Sequence, residues 1–482
     1  MTIPWNPATT GLAIDRTRAV PLTQQIAAAL RCAIVEGRLR PGARLPSWLD
    51  MAAQLGVSRG TVKAAYETLI DEMLVFSAGA AGTRVADRPA PRPVAVRTVE
   101  IAPPLQHAQH GFGLRPLPFQ IGVPAQDAFP AKLWARLRTR AVRANAIAPV
   151  TAPDPRGTPE LRAQIAAQIA ITRGIRCLPD QVILTSGYRA GLGLALSTLG
   201  MVGRRAWVED PGCPVTRKAL RLAGVDDVAV PVDEHGLRID RAVRAAPEAA
   251  LAIVTSGLQG PGGAALSAGR RAALLAWAER EGGWIVEHDQ ASELLLEGRA
   301  PAAIAANDPS GRVIHIGSFD MTISGALGLG YLVAPIALAA RFAEMAAHLN
   351  PAPNAATQVA LAGFLGDGHF LRHMRHMKAL YRERRDLLAR YLGDAILPDL
   401  GGLAAIMPLP AGTDDVALAA QAPSLGIAPA PLSPWSAEPD HARPGLVLGI
   451  TNLREPIAAK ACETLVRLAE SSAAAPLPAR AA

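Results

Sequence analysis

Apolar residues near the N-terminus recur at helical spacing and then change to short alternating runs. The helical pattern runs from Leu22 to Ile34 and ends before Gly37. Ser47 and Ser58 each precede a further helical segment, as N-cap residues do. Gly56 and Val57 form a short turn between these two segments. The stretch LVFSAGAAGTRVA then alternates around glycines. This order predicts a small α+β winged helix-turn-helix domain over residues 13–87.

The pattern changes twice after this domain. Residues 88–118 contain seven prolines, which predicts an extended, proline-rich linker. From residue 119 to 470, β-branched runs alternate with alanine- and leucine-rich helical stretches, which predicts an α/β domain with a mostly parallel sheet and a smaller α+β lobe over about 392–470. The expected buried strands are VILTS (182–186), RAWVED (205–210), ALAIVTS (250–256), GWIVEHD (283–289) and RVIHIGSFD (312–320).

Composition narrows the class of protein. Half of the 482 residues are hydrophobic and 19% are charged, which excludes a disordered chain. The sequence shows no signal-peptide layout, no apolar run of membrane-spanning length and no paired cysteine motif, so we expect a cytoplasmic protein without a metal site. The net charge of +8 permits a nucleic-acid partner without requiring one.

Lysine is scarce in this chain. Of 49 basic residues, only five are lysines: Lys63, Lys132, Lys218, Lys378 and Lys460. Any chemistry that needs a lysine amine must therefore use one of these five.

The start of the third predicted helix carries groups suited to DNA. In a helix-turn-helix, this part of the recognition helix faces the major groove. Ser58 and Thr61 offer hydroxyls to phosphate, Arg59 offers a guanidinium to phosphate or to a guanine edge, and Lys63 adds a positive charge.

The N-terminal motifs resemble those of GntR-type transcription regulators. The segments PLTQQIAAALRCAIVEGRLRPGARLPS, AAQLGVSRGTVKAAYETL and GTRVA occur in the family's order and cover nearly all of residues 20–86. The resemblance implies binding to double-stranded DNA, with Ser47 and Arg84 as further contacts. Leu49 stands where the family usually has an arginine, and Ala78 stands where it usually has a basic wing residue.

The C-terminal motifs resemble the fold type I aminotransferase domain, and the whole arrangement resembles the MocR subfamily of GntR regulators. Matching segments include FQIGVPAQDAFPAKLW, DPRGTPELRAQIA, VEDPGCP, GLGYLVAP and GHFLRHMRHMKALYRERR. In that subfamily the domain binds pyridoxal phosphate, forms head-to-tail dimers and controls the attached DNA reader. The resemblance therefore implies a homodimer and a possible small-molecule effector.

The motif that carries the cofactor-binding lysine in the family has changed here. Pyridoxal phosphate forms a Schiff base with a lysine amine, and its phosphate needs donors and positive charge. The family motif resembles SFSK, whereas this chain reads Ser318-Phe319-Asp320-Met321, with Met321 at the lysine position. Gly328 stands at the usual arginine position seven residues later, and only Ser318 is kept.

The groups expected around the cofactor ring have changed as well. His288 falls on the position of the pyridine partner, Gln290 on that of the tyrosine, and Cys213 on that of the stacking aromatic residue. A one-residue slip could still present Asp289. The phosphate-cradling turn reads Tyr188-Arg189, and Arg189 could still meet an anion at a helix N-terminus.

These changes converge on one ligand, while the scaffold glycines and prolines remain. They predict a DNA-binding regulator whose aminotransferase-like fold is retained and whose covalent cofactor chemistry is lost, with no catalytic residue. The alternatives are noncovalent cofactor binding, catalysis through Lys218, a pyridoxal phosphate-dependent aminotransferase, and a pseudo-enzyme partner subunit.

His288 and Asp289 are expected to form a buried hydrogen-bonded pair. The histidines at positions 369, 373 and 376 have metal-ligand spacing, but their basic neighbours favour a surface or interface face.

Overall fold

A computed structural model describes residues 14–17, 20–87, 115–146, 153–350, 353–397, 402–438 and 442–473. The chain separates into two compact units, which are described one at a time. Residues 88–114 of the predicted linker lie outside the described residues, so the domain bounds stay a prediction. Within those ranges, every helix is too short or too polar to cross a membrane.

The first unit has the predicted winged-helix layout. Its helices are α1 (Leu22–Val35), α2 (Trp48–Leu55) and α3 (Arg59–Asp71), and strands β1 (Val75–Ser77) and β2 (Thr83–Val85) pair antiparallel as the wing. The Gly56 backbone is left-handed, which permits the tight turn between α2 and α3. The core of this unit is closed by buried apolar residues from each helix, among them Ile26, Leu30, Met51, Val62, Tyr66 and Leu69.

The second unit is built around an eight-stranded sheet with the order β3-β10-β9-β8-β7-β4-β5-β6. The strands are β3 (Val182–Thr185), β4 (Arg205–Asp210), β5 (Asp226–Asp233), β6 (Gly236–Leu237), β7 (Leu251–Val254), β8 (Trp284–Asp289), β9 (Val313–Ser318) and β10 (Gly330–Val333). The central strands are parallel, which confirms the α/β prediction. Strand β10 is antiparallel to β3 and β9, and β6 is antiparallel to β5.

Helices pack around this sheet and extend from it. They are α4 (Ala131–Asn145), α5 (Pro159–Thr172), α6 (Tyr188–Leu199), α7 (Pro214–Leu222), α8 (Ile239–Ala245), α9 (Ala268–Glu281), α10 (Ala339–Leu349), α11 (Ala355–Gly366) and α12 (His369–Leu392). The sequence predicts helices over 188–200, 214–223, 267–281, 335–348, 354–366 and 369–391, and each is present within a few residues of these bounds. Helices α4, α5 and α8 and strands β5, β6 and β10 are not among the predicted elements.

The predicted C-terminal lobe is a three-stranded antiparallel sheet with two helices. It comprises β11 (Ala404–Pro408), α13 (Asp415–Gln421), β12 (Ala430–Pro431), β13 (Gly445–Gly449) and α14 (Glu455–Ala473). Segment 115–118 is already packed against this lobe, because the Pro118 carbonyl accepts the Ala428 N–H at 2.9 Å.

Candidate functional site

The start of α3, where the sequence predicts DNA contacts, is ordered by its own side chains. The Ser58 hydroxyl oxygen accepts the Thr61 N–H at 3.1 Å, as an N-cap does, and lies 2.7 Å from the Thr61 hydroxyl. Arg59 and Lys63 lie one turn apart and are exposed, and the Lys63 ammonium is 3.7 Å from Glu67. This end of the helix therefore presents two cations and an anion-favouring N-terminus to solvent.

The other two expected DNA contacts lie at helix α2 and at the wing. Ser47 caps α2, and its hydroxyl donates to Asp50 at 2.7 Å, so this group already has a partner within the chain. The Arg84 guanidinium, on β2, donates to the Gly42 carbonyl at 2.9 Å. Arg44 pairs with Arg84 in an isolated bridge and lies against Gly82 of the wing. The sequence analysis missed Arg44, because only the bridge brings it to the wing.

At the carboxyl end of β8, successive side chains point to opposite faces of the sheet. His288 lies on one face and stacks on Tyr188, with ring centroids 3.5 Å apart and planes 14° from parallel. Glu287 and Asp289 lie on the other face and contact His315. The expected hydrogen-bonded pair of His288 and Asp289 is therefore wrong, because the strand separates the two side chains.

Asp289 is held away from the cofactor position by a buried ion pair. Its Oδ2 atom is 2.6 Å from the Nε atom of Arg173, which is fully buried, and its Oδ1 atom accepts the Ser292 N–H at 3.1 Å. Burial alone would raise the pKa of Asp289, but Arg173 and His315 outweigh burial and hold that pKa below its ordinary value. The suggestion that a one-residue slip presents Asp289 to the cofactor is wrong.

The His288 imidazole is neutral at physiological pH. Burial lowers its pKa to about 4, because the charged ring would lose its hydration. Tyr188, the first residue of α6, is also buried, and its hydroxyl lies 2.9 Å from the Thr216 hydroxyl. His288 thus supplies no negative charge for a pyridinium nitrogen.

The segment that replaces the family's lysine motif follows β9 as a π-helical turn over Asp320–Ser324. Met321 packs against the main hydrophobic core, and Ser318 accepts the Asp320 N–H at 3.1 Å. Gly328 has a left-handed backbone, and a Cβ atom there would meet nothing within 4 Å. The left-handed backbone favours glycine over the usual arginine at this position, and glycine supplies no cation.

The other changed positions border the same region. Cys213 is the N-cap of α7, and Gln290 is half-buried just after β8. Trp435, from the C-terminal lobe, approaches Gly260, close to Gln290. The Trp435 carbonyl accepts the Gly212 N–H at 2.8 Å, so this residue is tied to the Cys213 turn. The sequence analysis did not anticipate Trp435, because it is far away along the chain.

The residues present do not fit covalent pyridoxal phosphate. Met321 has no amine, and the exposed Lys218 lies on α7. The Asp320 carboxylate lies where the phosphate would need donors and positive charge, because its Oδ2 atom is 3.0 Å from the position of a Cβ atom at Gly187, the N-cap of α6. Arg189, which is exposed, offsets this negative charge only in part.

The three histidines of α12 do not form one exposed surface. His373 is buried and its Nε2 atom lies 3.0 Å from the Thr322 carbonyl oxygen, whereas His376 is exposed. His369 contacts Arg372 instead. The expectation of a shared surface face is wrong for His373, because it packs under the π-helical turn. Among the described residues, no group of three or more metal-ligating side chains converges.

Comparison with known proteins agrees with this arrangement. The family model for bacterial regulatory proteins of the gntR family matches residues 22–85. The probable rhizopine catabolism regulatory protein MocR of Rhizobium meliloti is 34% identical over 80% of this chain and 81% of its own. The pyridoxine biosynthesis transcriptional regulator PdxR of Corynebacterium glutamicum is 34% identical over 82% and 85%. The transcriptional regulator TauR of Rhodobacter capsulatus is 34% identical over 82% and 86%.

Solved aminotransferases share the fold of the second unit. An archaeal alanine:glyoxylate aminotransferase aligns with a TM-score of 0.68 and 21% identity, over 74% of this chain and 92% of its own. LysN, the α-aminoadipate aminotransferase of Thermus thermophilus, aligns with a TM-score of 0.66 and 25% identity, over 74% and 93%.

Fold and sites together define an HTH-type transcriptional regulator that carries an aminotransferase-like domain. The regulators that match most of the chain narrow this class further. The chain belongs to the MocR-type family of GntR transcriptional regulators.

The Arg173–Asp289 ion pair should be important for the stability of the second unit, because both side chains are buried. Arg173→Met leaves a buried carboxylate without its cation, which should lower the free energy of unfolding by about 3–5 kcal/mol. The double variant Arg173→Met/Asp289→Asn removes the unpaired charge and should recover part of that loss. Chemical denaturation of the full chain, followed by circular dichroism, measures both. Equal losses in the two variants would contradict the proposed role of the ion pair.

Proposed function

We propose that this chain regulates transcription by binding double-stranded DNA through its winged helix, and that its aminotransferase-like domain serves as a dimeriser and possible effector sensor without covalent pyridoxal phosphate. The proposal rests on one observation: the chain has an intact recognition helix, but the residues of its cofactor site have changed. Arg59 and Lys63 are exposed at the start of α3, whereas Met321 stands at the lysine position.

The winged helix supports DNA binding by geometry and charge. The Ser58 cap fixes the start of α3, where the helix dipole favours an anion, and Arg59 and Lys63 lie there on one helical face. Arg84 and Arg44 add two guanidinium groups at the wing. Leu49 is 42% exposed at a position where the family usually has an arginine, which argues for fewer phosphate contacts and a weaker salt dependence.

Lys63→Gln tests the phosphate contact on the DNA upstream of the chain's own gene. The variant should bind more weakly, and the slope of log K against log salt concentration should become shallower by about 0.9, the value for one phosphate contact. If Arg59 contacts a guanine, Arg59→Gln should weaken the free energy of binding to the preferred DNA site by about 1–3 kcal/mol. Gel-shift titrations over a salt series measure both effects.

The matched control is Lys218→Gln, which removes an exposed lysine from α7 in the second unit. This variant should leave the salt slope unchanged. Wild-type protein that shows no sequence-selective binding at any salt concentration would remove the proposed function.

The dimer that the family resemblance implies fits this function, because a symmetric dimer reads two half-sites. We expect the full chain to sediment as a homodimer in the absence of DNA. Sedimentation equilibrium over a range of protein concentrations measures this. A monomer at every concentration, or a dimer only with a lysine-bearing relative, would contradict it.

The loss of covalent cofactor chemistry is tested by trapping. After incubation with pyridoxal phosphate and borohydride reduction, peptide mass spectrometry should find no cofactor within residues 313–333, because Met321 cannot form an imine. Surface lysines serve as the internal control for the reaction itself. A stoichiometric adduct on Lys218 would instead favour the enzyme alternative.

A further inference from the structure

The groups at the changed cofactor site contact one another in a specific way. We infer that Tyr188 and Asp320 take the place of the cofactor, the tyrosine ring standing in for the pyridine ring and the carboxylate for the phosphate. The site is then permanently filled by the chain itself. This inference deepens the proposed function and rests on it only for its regulatory consequence.

The first observation concerns the ring. Tyr188 lies flat against His288, which occupies the position of the pyridine partner, and its hydroxyl reaches Thr216 of α7. Burial, together with the nearby Cys213, raises the pKa of Tyr188 above its ordinary range. The Tyr188 ring therefore lies face to face with His288, at the position where the family resemblance places the pyridine partner.

The second observation concerns the anion. The Asp320 carboxylate lies against Gly187, at the N-terminus of α6, where the helix dipole favours negative charge. Burial raises the pKa of Asp320 to about 6, while the Ser318 hydrogen bond and Arg189 act in the opposite direction, so the carboxylate is still mostly charged at neutral pH. A phosphate in this position would meet that carboxylate at close range and be repelled.

The two groups are adjacent in space because their backbones are. Gly187 directly precedes Tyr188, and Asp320 lies against Gly187. A flat ring and a negative charge thus both lie at the start of one helix, as the ring and phosphate of a single cofactor would. In our inference, the Tyr188 ring and the Asp320 carboxylate take up the space that the cofactor would need.

The regulatory consequence is independence from pyridoxal phosphate. The state of the second unit should not change with the concentration of this compound, because no empty site responds to it. Any effector of this regulator would have to act elsewhere or displace the Tyr188 ring.

The test empties the site. In the full-length double variant Tyr188→Ala/Asp320→Ser, we expect saturable noncovalent binding of pyridoxal phosphate, roughly tenfold or more tighter than to wild type, with a matching rise of the melting temperature. Equilibrium dialysis and thermal melting measure the two. The control Tyr381→Ala removes another fully buried tyrosine with one backbone partner, Ala125, and should gain no such binding.

Two single variants keep the inference testable if the double variant does not fold. Tyr188→Ala should regain melting temperature with added phenol, because a planar ring refills the cavity that the substitution leaves. Asp320→Ser should be stabilised by inorganic phosphate more than wild type is.

Three outcomes would contradict the inference. Wild type that binds pyridoxal phosphate as tightly as the double variant would overturn the inference. So would a folded double variant without binding, or single variants without a response to phenol and phosphate. DNA binding of wild type is measured separately, so a failure of the proposed function leaves this comparison intact.

Discussion

The alternation of side chains along β8 is the constraint on which the rest of the second unit depends. Because successive residues face opposite sides of the sheet, Glu287 and Asp289 enter a buried polar network while His288 faces the cofactor position. Moving the strand by one residue would turn the carboxylates toward the face of Tyr188 and leave Arg173 without its carboxylate partner. The buried ion pair therefore determines the register, and the register determines what the site can present.

The scaffold around that strand is preserved by close backbone approaches. A Cβ atom at Gly317 would overlap the ring of Tyr331, and one at Gly330 would lie 2.8 Å from the Gly187 Cα atom. These contacts hold β9, β10 and the start of α6 together whether or not a cofactor is bound. This explains how the fold of an aminotransferase persists in a chain whose ligand-binding side chains have changed: backbone packing and side-chain chemistry place separate demands on the sequence.

Local signals made much of the fold predictable. Caps at Ser47 and Ser58, the turn at Gly56 and the apolar spacing of α1 identified the winged helix, because each acts within a few residues. Strands β5 and β10 were missed for opposite reasons. The first is acidic and interrupted by proline, and the second is a short apolar run whose strand character depends on insertion between β3 and β9.

Residue identity and motif order are enough to show which chemical groups stand at each motif: no amine at Met321, no cation at Gly328, and cations at Arg59 and Lys63. Which of these groups come into contact depends on how the chain folds. The tertiary structure turned Asp289 away, buried His373, brought Arg44 to the wing, and joined Tyr188 to His288 and Asp320 to Gly187. Such contacts depend on strand alternation and long-range packing, which residue spacing along the chain does not specify.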